Sequence, residues 1–186
     1  MSAPHEPHEP HGGLDPADAA AVRAQLGRPA RAVAGVGHRC PCGLPDVVAT
    51  LPRLPQGTPF PTTYYLTCPR AASLIGTLEG SGLMKRMQAR LGEDAELAAA
   101  YRAAHEAYLA DRAALGEVPE IEGISAGGMP DRVKCLHVLA GHALAAGPGV
   151  NPLGDEVLEL LGDWWASGPC RNPDVPDAPD APGEPA

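Results

Sequence analysis

The chain changes its apolar period once. Between residues 32 and 67, β-branched and aromatic residues come in short runs broken by Gly, Pro and Cys. From Cys68 to Ala166 the apolar residues recur every three or four positions. A period of two reads as strand and a period near 3.6 as helix. The strand signal is therefore confined to one block, with helices after it.

Within that block three strands are expected, over residues 32–36, 46–50 and 62–67. The CPCGLP segment, residues 40–45, serves as the first turn, and a Pro-rich loop runs to about Pro61. Short connections favour pairing in chain order, so the strands should form an antiparallel meander. Ahead of it, residues 15–26 carry Asp15 at an N-cap position and Pro16 at N1, the start signals of a helix. Behind it, helices are expected over residues 69–80, 82–91, 93–115, 130–146 and 153–166. In the second of these Leu83, Met87 and Leu91 stand four apart. The expected class is α+β: a small three-stranded antiparallel sheet covered on one face by about five to six helices.

At 186 residues one domain is expected, over residues 14–166. Residues 1–13, with His5, His8 and His11, and residues 167–186 are biased in composition and expected to be disordered tails. Net charge sharpens the exclusions. Of the total of −9, the tails hold −2 and −3, leaving the body near −4. An acidic body lacks the Lys and Arg that neutralise phosphates, so nucleic acid is not an expected partner. The same balance disfavours an anionic membrane surface, and no apolar run approaches the roughly 20 residues of a span. The N-terminus shows no signal-peptide pattern, so a cytoplasmic location is expected. Five cysteines in that setting read as free thiols or metal ligands.

The most informative stretch is residues 124–155. Gly127 and Gly128 precede a helix expected to begin at Pro130. Free N–H groups at its start, with Ser125, Arg132 and Lys134 nearby, would suit a small anionic ligand. It matches neither a phosphate-binding nor a dinucleotide fingerprint. On a helix from 130, Cys135 and His142 share a stripe about 10 Å apart, and His137 lies about 200° from Cys135. Cys135 and His137 are then unable to share a site. Cys135 near Arg132 and Lys134, or Cys40 after His38 and Arg39, is a candidate nucleophile. Its base would be His105, His137 or His142. A third reading groups Cys40, Cys42 and Cys68 at one rim of the meander, completed by Cys135 or a His, as a zinc site. Protein partners are not readable from the sequence.

Three blocks resemble a known family: HRCPCGLPDVVATLPRLPQGTPFPTTYYLT, AYRAAHEAYLADR and SAGGMPDRVKCLHVLAGHALAAGPGVNPLGDE. They resemble the actinobacterial proteins grouped as domain of unknown function 501, over about residues 15–160. The resemblance implies a single cytoplasmic domain, often encoded near cell-division and polyphosphate-related genes. It implies no catalytic or binding residues. Two functions follow as expectations: a small-molecule protein or enzyme with its site at the start of the central helix, or a non-catalytic interaction domain in division or the cell envelope.

Overall fold

The computed structural model describes residues 13–170, so the tail expectations for residues 1–12 and 171–186 lie outside the described residues. Among the described residues six α-helices and three strands follow in chain order: α1 Pro16–Leu26, β1 Val33–Arg39, β2 Pro45–Thr50, β3 Tyr64–Leu66, α2 Pro69–Gly80, α3 Leu83–Glu93, α4 Ala95–Leu115, α5 Leu136–Ala146 and α6 Pro152–Leu161. The α+β class and the order β1-β2-β3, antiparallel throughout, are as the sequence predicts. Among the described residues no helix is long and apolar enough to cross a membrane.

The local signals explain most boundaries. Asp15 accepts the Asp18 N–H at 2.8 Å and starts α1, and Asn151 accepts the Gly154 N–H at 3.0 Å and starts α6. Each side chain satisfies one of the orphan donors of a helix N-terminus. β1 is irregular, with register breaks at Val33/Gly35, Val36/His38 and His38/Arg39.

Pairing fixes the two faces of the sheet. Val47 opposes Leu66 and Ala49 opposes Tyr64, whereas Val48 opposes Tyr65. Opposed residues share a face, and successive residues alternate. The Val47–Leu66 face joins the main core, with Ile75, Met87, Tyr101, Tyr108, Leu136, Leu139, Leu153 and Val157. The Val48–Tyr65 face looks the other way, toward Leu26 of α1 and Phe60.

Helix α5 is the pivot, touching every strand as well as α2 and α6. Two glycines permit this. A Cβ on Gly154 would lie 2.3 Å from the Leu139 carbonyl oxygen, and one on Gly141 would lie 3.2 Å from that of Tyr64. So α6 and β3 lie against the backbone of α5 itself.

Residues 167–170 follow the expected domain end and contact α2. Arg70 donates to the carbonyls of Trp164 at 3.1 Å and Gly168 at 2.8 Å. Cys170 lies beside Cys68, which the neighbouring thiol and burial hold in its protonated form.

Candidate functional site

The helix expected from Pro130 does not begin there. α5 starts at Leu136, and Cys135 is its N-cap residue, with extended backbone (φ −154°, ψ 111°). Residues 127–134 fold instead as a compact turn. Gly127 and Gly128 take φ of 72° and 97°, and a Cβ on Gly128 would lie 2.7 Å from the Arg132 carbonyl oxygen. Neighbouring helices satisfy the turn's backbone. Gln88 of α3 accepts the Val133 N–H at 2.9 Å and donates to the Asp131 carbonyl at 3.0 Å. Tyr101 of α4 donates to the Arg132 carbonyl at 3.0 Å. These tertiary bonds override the local helix signal.

The expected anion site therefore lacks its helix N-terminus. Ser125 is buried, and its single hydroxyl proton goes to the Met129 carbonyl at 3.2 Å. It accepts in turn from His105 Nδ1 at 2.9 Å. This assigns His105 a fixed tautomer and a structural place between α4 and the turn. Arg132 and Lys134 are exposed, and Arg102 pairs with Asp131 at 3.0 Å.

The same displacement brings together two residues that helical geometry separates. With Cys135 extended and His137 in the first turn of α5, both side chains meet Glu79, in the last turn of α2. Glu79, Cys135 and His137 each offer one donor atom, all within 4.8 Å of one another. They form the one such Cys, His or acidic cluster among the described residues. Cys40 and Cys68 are not part of it.

Each donor is held. Glu79 Oε1 accepts the Leu136 N–H at 2.7 Å, so α2 caps α5, whose own N-cap side chain makes no capping bond. An acid in the last turn of α2 opposes that helix's dipole, and the start of α5 offsets it. His137 Nε2 faces the Ala72 carbonyl at 3.1 Å and must carry a hydrogen. Its Nδ1 faces Glu79 Oε1 at 3.2 Å. A bare lone pair against a carboxylate is repulsive, so a cation belongs between them, either a proton or a metal. In the metal-free state it is a proton. The Cys135 side chain foremost, then the Glu79 charge and the Ala72 carbonyl, lift His137 to about 9 against the effect of burial. The Ala72 carbonyl on Nε2 orients the ring and leaves Nδ1 as the nitrogen that faces the Cys135 and Glu79 side chains.

The other candidates lie outside this cluster. The Cys40 thiol is buried and pushed up to about 12, chiefly by desolvation, the reverse of what a nucleophile needs. His142 has no exposed surface. It stacks on Tyr64 at 5.9 Å, meets Tyr108 edge-on at 5.1 Å and accepts from Asn151 at 3.2 Å. Burial lowers it to about 4.

Sequence reasoning missed Glu79. It stands 56 positions before Cys135, in the helix expected over residues 69–80. The spacing Cys-x-His was the available signal. It places two side chains together when the first residue is extended and the second opens a helix.

No curated protein and no solved structure matches the chain. The sequence model of the family described as "Protein of unknown function (DUF501)" matches residues 36–159, which include Glu79, Cys135 and His137.

Proposed function

The chain belongs to the DUF501 family of proteins of unknown function, and from its site we propose that it is a zinc-binding protein with an open coordination position. The convergence of Glu79, Cys135 and His137 on one point carries this reading. A tetrahedral zinc with bonds of about 2.0–2.3 Å would draw its ligands to about 3.5 Å from one another, a side-chain adjustment from the present separations. His137 would bind through Nδ1. Its Nε2–H on Ala72 is the outer bond that fixes the ring of a metal-ligating His. A thiolate in the set favours zinc over magnesium or calcium.

Three protein ligands leave a fourth position, as in catalytic rather than closed structural zinc sites. That position would take water, or an oxygen of a small anionic ligand. The ligand expected at the start of the central helix is thereby kept, with a metal in place of backbone N–H groups. A non-catalytic interaction domain would present an apolar face. Among the described residues the exposed large hydrophobics are Leu74, Ile124 and Leu160, on α2, a loop and α6.

Elemental analysis of the purified protein tests the proposal. About one equivalent of zinc is expected, lost in Cys135→Ser and in His137→Asn and reduced in Glu79→Gln. Below a tenth of an equivalent, with no zinc uptake by the stripped protein in calorimetry, the reading is wrong.

A further inference from the structure

The outward face of the sheet holds a cleft of about 380 Å³. Its floor is apolar: Val48 and Tyr65 from the strands, Leu26 from α1 and Phe60 from the loop. Its rim is basic, formed by Arg28 and Arg31. We propose that this cleft binds a small amphipathic anion, its apolar body on the Val48–Tyr65 floor and its charged head between the two arginines.

Charge placement argues for the anionic head. The chain carries a net −9, and four of its arginines pair with acids. Arg39 holds Asp18, Arg53 holds Glu120, Arg90 holds Glu156 and Arg102 holds Asp131. Arg28 and Arg31 differ. Among the described residues neither meets a carboxylate, and Arg28 makes only a 3.4 Å bond to the Pro29 carbonyl. Both are exposed. Two uncompensated guanidiniums in an acidic protein, lining an apolar cleft, match a carboxylate or sulfonate in charge.

The backbone under the rim gives a second, independent observation. Ala32, next to Arg31, has φ 51°. It is the single non-glycine residue with positive φ among the described residues. Such a conformation is disfavoured for a residue with a Cβ and persists where the surroundings impose it, often at ligand sites. Here the Ala32 carbonyl accepts the Leu51 N–H at 2.7 Å, which ties the Arg31 segment to the far end of β2. The volume falls within the range of small-molecule pockets, and the mix of apolar lining with few polar groups is theirs as well.

This site is separate from the zinc centre, and its test does not depend on it. Octanoate and 1-octanol share one apolar tail and differ in the charged head. Amide chemical-shift titrations of the intact protein are expected to map octanoate to Val48, Phe60 and Tyr65, with 1-octanol at least tenfold weaker. In Arg28→Ala/Arg31→Ala, octanoate should fall to the level of octanol while octanol is unchanged. Both substitutions are on exposed side chains, and an unchanged amide spectrum elsewhere shows that the fold is kept. Equal affinities in the natural protein, a difference that survives the double substitution, or shifts away from the cleft would each overturn the proposal.

Discussion

Single residues decide the chemistry of this protein, and three histidines show how. His105, His137 and His142 look alike in the sequence as possible bases. Their surroundings assign them separate roles: one bonds a buried serine, one faces a carboxylate and a thiol, and one is walled in by tyrosines. His142 has a measurable consequence. The unfolded chain takes up its proton near 6.5, whereas in the folded chain burial delays this to about 4. The unfolded state therefore binds more protons across that window, and stability must fall as pH drops through it. The loss from this group is expected to reach roughly 3 kcal/mol at the acid end. Denaturant titrations at several pH values would show it, and His142→Gln should flatten that part of the profile whatever it does to absolute stability. An unchanged slope in the variant would mean that His142 is not the source. None of these three fates was legible beforehand, because each depends on residues 9 to 78 positions away. Cys135 and His137 stood out in the sequence; Glu79 did not.

At the scale of elements, the sequence was most readable where a segment's own caps decide its ends. α2 spans Pro69–Gly80 as expected, and the Asp15 and Asn151 caps lie where their residue types place them. α5 was misjudged by six residues because its front is set by Gln88, Tyr101 and Glu79, side chains from three other helices. Close backbone packing was also hidden, since a glycine in a helical pattern does not announce its neighbour. Gly154→Ala sets a Cβ 2.3 Å from the Leu139 carbonyl oxygen, and Gly141→Ala sets one 3.2 Å from that of Tyr64. Overpacking of the first kind is expected to cost about 3 kcal/mol or more and the second about 1 kcal/mol. Urea unfolding of the two variants checks the order; equal losses would show that α6 can move away from α5.

For the molecule as a whole, the centre joins the end of α2 to the start of α5, two segments far apart in sequence. A zinc ion there would bind the folded chain in preference to the open one. At 100 times its dissociation constant it should add about 2.7 kcal/mol of stability. The melting temperature is expected to fall on chelation, to recover with stoichiometric zinc and to ignore magnesium. Glu79→Gln should blunt the recovery. If chelator leaves the melting temperature unchanged in protein shown to hold zinc, the ion lies elsewhere. The overall class was legible because strand and helix signals occupy separate blocks of the chain. The two-sidedness of the sheet was less so, since α1 and the loop around Phe60 cover the outer face only in part. The sheet's margins carry a last consequence. β1 breaks register three times in seven residues, and β3 is three residues long. A second chain seeking to add a strand finds no regular ladder on either side, a device that keeps open sheets from templating aggregates. Crowding this protein at high concentration should therefore not drive it toward fibrils through its sheet.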